Sequence, residues 1–132
     1  MKLADWQWVV VGCMTPLILA CAGRQPRLGT EAALRKIKFD LAQISPAGLI
    51  GPADGWRSLS YEFCAPATES IIQQLQAIDP SLQIYRQSPG RIGCRPDQVL
   101  ASGETHQPRW RKILLKLAKL LYIARIEPSL GE

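Results

Sequence analysis

Two cysteines, Cys64 and Cys94, are the residues of this sequence best able to carry chemistry within a folded domain. The other two, Cys13 and Cys21, lie inside and at the end of an apolar N-terminal run. In an exported protein, such a pair usually forms a structural disulfide. A dithiol metal site and a redox-active pair are the alternatives, although neither cysteine belongs to a CxxC motif. We therefore predict a Cys64–Cys94 disulfide, with no metal and no other cofactor.

His106 is the only histidine of the chain, and a lone histidine can act as an acid, a base or a metal ligand. It lies in the run THQP, where Pro108 can open a helix and where Thr105 or His106 could cap the exposed amides. No nucleophile motif accompanies His106, and no pair of carboxylates stands out. We expect a capping turn here, and a protein that is not an enzyme.

A predicted helix carries a basic surface made of five residues, namely Arg109, Arg111, Lys112, Lys116 and Lys119. The formal charge of the chain is +5, an excess that permits attraction to anionic lipid or phosphate. This surface could face an anionic membrane or an acidic partner, and the alternative is a solvated face opposite the apolar stripe. No nucleic-acid partner is expected, because an RNA-binding sheet needs several exposed aromatic residues and only Tyr85 is a good candidate.

The first 21 residues have the features of an export signal. The run from Val9 to Ala20 has twelve residues, which is short for a membrane-spanning helix of about 20. Its end, Ile18-Leu19-Ala20-Cys21, resembles the bacterial lipoprotein box, in which the cysteine receives diacylglycerol and becomes the first residue. We predict lipidation at Cys21, and a two-chain anchor suffices for stable membrane attachment. A cleaved signal peptide and an uncleaved anchor are the alternatives, and all three imply export.

The elements that position these residues are predicted from periodicity. Residues 22–29 form a tether, and residues 30–57 form an N-terminal helix, from Thr30 to Ile44, followed by a loop rich in Gly and Pro. This loop is expected to place Trp56 against the domain. Residues 58–64 alternate strictly, which predicts a half-buried strand with Glu62 on its solvated face.

The remaining pattern predicts a helix up to Ile78, strands over 82–86 and 98–103, a helix opened by Pro108 that includes Leu121, and a last strand over 122–126. Residues 58–128 thus form an α+β domain with the order βαββαβ, which is the ferredoxin-like, split βαβ antiparallel sheet, preceded by an extra N-terminal helix. In that topology the first and third strands are antiparallel neighbours. Cys64 and Cys94 then lie at one end of the sheet and His106 at the other.

Three segments, YEFCAPA (61–67), YRQSPGRIGC (85–94) and THQP (105–108), resemble a family of small cyanobacterial proteins with an exported or lipoprotein-like start. The resemblance covers about residues 30 to 127. It implies a location at the plasma, thylakoid or outer membrane, facing the lumen or periplasm. It implies no activity and no site residues.

Together these observations predict a membrane-tethered, non-enzymatic accessory or binding protein. Its expected partners are the membrane, through the N-terminal lipid anchor, and a membrane protein complex, contacted through the open sheet face or the basic helix. The alternative is a metal- or redox-handling domain that uses Cys64 and Cys94. The two hypotheses predict different thiol chemistry, namely an oxidised pair or an exchangeable one.

Overall fold

Two antiparallel sheets and three α-helices make up residues 28–129, the part of the chain that this computed structural model describes. The predicted export signal, with Cys21, lies outside the described residues. The elements are α1 (Thr30–Leu34), a 3-10 turn (Leu41–Gln43), β1 (Leu49–Ile50), β2 (Arg57–Ser58), β3 (Ser60–Pro66), α2 (Glu69–Ile78), β4 (Gln83–Tyr85), β5 (Gln98–Glu104), α3 (Trp110–Ala118) and β6 (Glu127–Ser129).

The main sheet has the strand order β4-β5-β3-β6, and every neighbouring pair is antiparallel. β3 and β5 pair along their whole length, from Ser60 opposite Glu104 to Pro66 opposite Gln98. The prediction that these two strands are antiparallel neighbours is therefore confirmed. Because side chains alternate along a strand, Tyr61 and Phe63 point to one face of the sheet, where both are completely buried.

The helices α2 and α3 cover that face with their apolar sides. α2 contributes Ile72 and Leu75 to the core, and α3 contributes Trp110, Leu114 and Leu117 at the helical spacing of three and four. The predicted stripe continued to Leu121, but α3 ends at Ala118 and Leu121 is 51% exposed. The last strand also lies later than predicted, at Glu127–Ser129, because residues 122–126 enter the core as an irregular segment.

The N-terminal helix predicted to reach Ile44 is wrong beyond Leu34. α1 has five residues, and Gly29 rather than Thr30 is its N-cap. Past α1, Ile37 forms a parallel bridge with Ile126, supported by hydrogen bonds from Lys38 N to Ile126 O and from Ile126 N to Lys36 O, at 2.9 and 2.8 Å. Because this pairing requires extended backbone, the contact with the distant segment overrides the local helical pattern.

The predicted loop before β3 contains a hairpin of β1 and β2, with Leu49 opposite Ser58. The turn before β1 requires Gly48, because its φ is +80° and an added Cβ would lie 1.9 Å from Thr105 O. Trp56 is 48% exposed, so the expectation that it packs against the domain is wrong. The hairpin itself is held at the end of β5.

One buried carboxyl group, that of Asp79, joins several of these elements. Asp79 is completely buried after α2, and Tyr61 on β3 donates a hydrogen bond from its hydroxyl to Oδ2. Oδ1 accepts from the Ser81 amide at 3.0 Å, from the Ser81 hydroxyl at 2.7 Å and from Gln107 Nε2 at 2.9 Å. A buried carboxyl group needs such partners, so Asp79 ties β3 to the turns that precede β4 and α3.

Replacing Asp79 should therefore cost far more than replacing an exposed aspartate. We expect Asp79→Ala to lower the free energy of unfolding by about 3 kcal/mol, since it leaves several buried donors without an acceptor. The matched control is Asp97→Ala, which removes an exposed ion pair with Arg95 and should cost under about 0.5 kcal/mol. Urea unfolding measures both, and equal losses would contradict the role given to Asp79.

The Tyr61 hydroxyl that donates to Asp79 makes the free energy of unfolding depend on pH in the alkaline range. Burial, followed by the charge and hydrogen bond of Asp79, raises the pKa of Tyr61 above its ordinary value. The unfolded chain releases this proton above about pH 10 while the folded chain keeps it, so the stabilisation is complete below that pH and falls above it, by up to ~1.4 kcal/mol per pH unit.

We expect the free energy of unfolding to fall more steeply in the wild type than in Tyr61→Phe as the pH rises above about 10. The exposed Tyr85 offers the control, because Tyr85→Phe should keep the wild-type slope. Urea titrations at several alkaline pH values provide the measurement. Identical slopes for the wild type and Tyr61→Phe would show that Tyr61 does not carry the effect.

Candidate functional site

Cys64 and Cys94 form a disulfide, as predicted, with their Cα atoms 5.4 Å apart and a sequence separation of 30. Cys64 lies on β3, and Cys94 lies in the connection between β4 and β5. Within residues 28–129, no cluster of three or more His, Cys, Asp or Glu side chains is arranged to hold a metal ion. The disulfide is a covalent link between that connection and the sheet.

The disulfide pins the loop of residues 86–97, hereafter the pinned loop, onto the outer face of the sheet. Ile92 and Cys94 from this loop form a small apolar cluster with Leu100, which lies opposite Cys64 in the β3–β5 register. Glu62, expected to be solvated, is only 8% exposed and accepts a hydrogen bond from Ile92 N at 3.2 Å. That expectation is wrong because the loop covers part of the predicted open face.

The structure places His106 away from the disulfide, beyond the opposite end of β5. Its Nδ1 lies 2.9 Å from Ala47 O, and its side chain is exposed. Thr105 is completely buried, donates to Gly48 O at 2.7 Å and accepts from Leu59 N at 3.0 Å. Neither residue caps α3, since the N-cap is Arg109 without a side-chain hydrogen bond. The predicted capping turn instead fastens the β1–β2 hairpin to the sheet.

A cleft of about 930 Å³ lies between the end of α2 and one side of α3, from Arg109 just before the helix to Lys116 in its last turn. Three cationic side chains line it on the α3 side, those of Arg109, Lys112 and Lys116. We call it the basic cleft, and its lining is completed by Ala77, Ile78, Pro80, Ser81, Gln107, Pro108 and Ile113. It therefore combines positive charge with an apolar wall.

Local structure explains why the three cations meet. Lys112 and Lys116 are four residues apart on α3 and so lie on one side of the helix. Arg109 precedes them in a left-handed conformation, with φ of +60°, the one positive φ found at a non-glycine position within residues 28–129. This conformation is uncommon for a side chain of this size and concentrates at sites where the surroundings enforce it.

The turn that carries Arg109 is fixed by the buried network. Gln107 Nε2 donates to Glu104 O at 2.8 Å as well as to Asp79, and Ser81 accepts from Glu104 N at 3.1 Å. Ser81 and Gln107 also line the basic cleft. Arg109 therefore follows a turn whose position is set by hydrogen bonds to a buried carboxyl group, and Lys112 and Lys116 lie on the helix that this turn begins.

The other two residues of the predicted basic surface do not line the basic cleft. Arg111 stacks on the ring of Trp110, with 4.9 Å between the guanidinium carbon and the ring centroid. Trp110 itself donates from Nε1 to Pro46 O at 3.1 Å. Arg111 still shares a second cleft with Arg109 and Lys112. Lys119 lies at the opposite end of α3, as its C-cap.

Electrostatically, the basic cleft is uncompensated within the part of the chain that the structure describes. The ion pairs found there join Arg35 to Glu31, Arg86 to Glu69, Arg95 to Asp97 and Arg125 to Glu127. None of them involves Arg109, Lys112 or Lys116. Positive charge beside an apolar wall suits a ligand that offers both carboxylates or phosphates and apolar groups.

Comparison with protein-family models, with curated proteins and with solved structures finds no match for this chain. Across residues 28–129, the structure contains no helix long and apolar enough to cross a membrane.

The disulfide should matter chiefly for the pinned loop. We expect Cys64→Ala/Cys94→Ala to lower the free energy of unfolding by about 3 to 4 kcal/mol, because it frees a loop of this length in the unfolded chain. Amide exchange should rise in the pinned loop more than in α2.

The control for this experiment is a reductant. Reduction should destabilise the wild type to the level of the double variant and leave the variant unchanged. A variant as stable as the oxidised wild type would contradict the structural role of the disulfide.

Proposed function

We propose that this protein is a membrane-tethered, non-enzymatic accessory or binding protein that contacts an acidic segment of a membrane protein complex through the basic cleft. The observation that carries the proposal is the set of three cations, Arg109, Lys112 and Lys116, held along an apolar wall without ion-pair partners among the described residues. Carboxylates flanked by apolar side chains complement such a surface.

A ferredoxin-like fold is part of this proposal. It is supported by the strand order β6-β3-β5-β4 and by antiparallel pairing throughout the sheet. It is also supported by the chain order, in which α2 connects β3 to β4 and α3 connects β5 to β6. Membership of the cyanobacterial family with the YEFC, PGRIGC and THQP segments is also proposed. It is supported by those segments alone.

Of the two contact surfaces considered from the sequence, the side of α3 is the better supported. The pinned loop covers part of the outer sheet face, with Ile92, Cys94 and Leu100 packed together beneath it. Tyr85, at the edge strand β4, is the large hydrophobic side chain that remains exposed on that face, at 43%. The basic cleft offers more concave surface and more charge for a specific partner.

The proposed anchor is the lipid-modified Cys21. It would place the domain at the plasma, thylakoid or outer membrane, on the lumenal or periplasmic side. Tethering raises the concentration of the basic cleft near any membrane-bound partner into the millimolar range, even if the isolated contact is weak. A small domain can then bind usefully through a few charged contacts.

The alternative function, metal or redox handling by Cys64 and Cys94, is favoured by one observation. Each cysteine lines a separate surface cleft, of about 90 Å³ for Cys64 and about 390 Å³ for Cys94. A small reductant or thiol could therefore approach the pair from either side. This alternative requires thiols that are reduced or exchange readily in the protein as isolated.

Site-specific crosslinking tests the proposed contact. With a photo-crosslinking residue at position 77, an exposed alanine that lines the basic cleft, irradiation of native membranes should join the protein to a membrane protein at a peptide rich in Asp and Glu. The additional change Lys112→Glu should reduce the yield about tenfold, the effect of losing ~1.4 kcal/mol of binding.

The matched control is Arg57→Glu, which makes the same charge reversal at an exposed position on β2. It should leave the crosslinking yield unchanged. If Lys112→Glu leaves the crosslinking yield unchanged, or if Arg57→Glu lowers it equally, the basic cleft is not the contact.

A further inference from the structure

The described residues begin beside the C-terminal end of α3, past the position of Lys116 in the basic cleft. Leu28 N donates a hydrogen bond to Lys119 O at 3.0 Å, so the first described residue is held at this end of the helix. We call the surface around it, formed by Leu28, Leu34, Lys119 and Leu121, the tether end. Its position relative to α3 is fixed by that hydrogen bond.

Two large apolar side chains are exposed at the tether end. Leu34 is 44% exposed at the end of α1, and Leu121 is 51% exposed just after α3. Within residues 28–129 the other exposed large hydrophobic residues are Trp56 and Tyr85, on other elements. Half of the exposed apolar side chains therefore belong to the segments nearest the tether.

The two segments that carry these leucines are joined to each other. Lys36 donates from Nζ to Leu120 O at 2.9 Å and to Ile123 O at 2.5 Å. These bonds link the chain that follows α1 to the turn that follows α3, and they satisfy carbonyls near the end of that helix. The segments that carry Leu34 and Leu121 are thus held together by hydrogen bonds.

The lysines at the tether end favour binding to an anionic surface. Lys119 is the C-cap of α3, and Lys38 lies exposed beyond α1. The carboxylate of α1, Glu31, is paired with Arg35 at 3.0 Å and is partly neutralised by it. Exposed leucines beside lysines are the combination that binds the interface of an anionic bilayer.

The length of chain outside the described domain brings that bilayer within reach. Six residues separate Cys21 from Leu28, and the seven steps from one Cα atom to the next span at most about 3.5 Å each, or roughly 25 Å in all. A lipid on Cys21 would hold the tether end within that distance of the headgroups. Even weak docking is then favoured by the high effective concentration.

We infer that the tether end docks on the surface of an anionic lipid bilayer, with Leu34 and Leu121 in the headgroup region and Lys119 at the lipid phosphates. This inference rests on the proposed anchor at Cys21. α3 has nine residues, so its other end stands roughly 13 Å further along the helix. Docking would present the basic cleft to the part of a membrane protein that projects just beyond the headgroups.

Hydrogen exchange of the full chain, recovered with its native N-terminus, tests the inference. The protein is reconstituted into vesicles with about 30% phosphatidylglycerol, into vesicles of phosphatidylcholine alone and into detergent. Residues 30–38 and 117–123 should exchange about fivefold more slowly in the anionic vesicles than in either other setting. The variant Leu34→Ser/Leu121→Ser should lose this protection.

The matched control is Trp56→Ser/Tyr85→Ser, which removes the other two exposed large hydrophobics and should retain the protection. Equal exchange in all three settings, with the protein still sedimenting with the vesicles, would overturn the docking and leave the anchor intact. Failure to sediment with any vesicles would overturn the anchor and this inference together. Native membranes provide a fourth setting, and protection there but not in the lipid vesicles would assign the surface to a protein and overturn lipid docking.

Discussion

The hydrogen bonds to the Asp79 carboxyl group set the relation between the sheet and the two helices that cover it. Tyr61 reaches Asp79 from β3, Ser81 from the turn before β4 and Gln107 from the turn before α3. Gly103 makes room for this arrangement, because a Cβ there would lie 2.7 Å from the ring of Tyr61. Since Ser81 and Gln107 also line the basic cleft, the shape of the cleft depends on a fully satisfied buried group rather than on a flexible surface turn.

The opposite face of the sheet is organised by a covalent constraint. The Cys64–Cys94 disulfide, the cluster of Ile92 with Leu100, and the bond from Ile92 N to Glu62 hold the pinned loop in place. Arg125 adds a hydrogen bond to Ile92 O at 2.8 Å from the segment before β6. The sheet is thus packed on one face and partly covered on the other.

The sequence predicted those parts of the structure that depend on local pattern. The alternation through Tyr61 and Phe63 located β3, and the helical spacing of Ile72 and Leu75 located α2. The pairing of Cys64 with Cys94 was predicted from the order of elements and from the predicted export signal. The two elements depend on residues that are close in sequence, and the disulfide depends on the pairing of two cysteines.

The errors lie where distant segments compete with local preference. The pairing of Ile37 with Ile126 ends the N-terminal helix early, and the pinned loop buries Glu62. The basic cleft could be predicted only in part, because the cations are visible in sequence but the wall from Ile78 and Pro80 depends on how α2 meets α3. From the sequence, Asp79 could be recognised only as part of the Asp-Pro pair that ends α2. That pair does not predict the four hydrogen bonds that its carboxyl group accepts.

We propose a disulfide-locked domain that is held at a membrane by a lipid on Cys21. Intact mass of the protein extracted from membranes, alkylated with and without prior reduction, tests this proposal most directly. We expect a chain that begins at a diacylglycerol-modified Cys21, with two alkylated thiols that appear only after reduction. A chain without lipid, or with Cys64 and Cys94 already alkylated before reduction, would contradict it, and the second result would favour metal or redox chemistry at this pair.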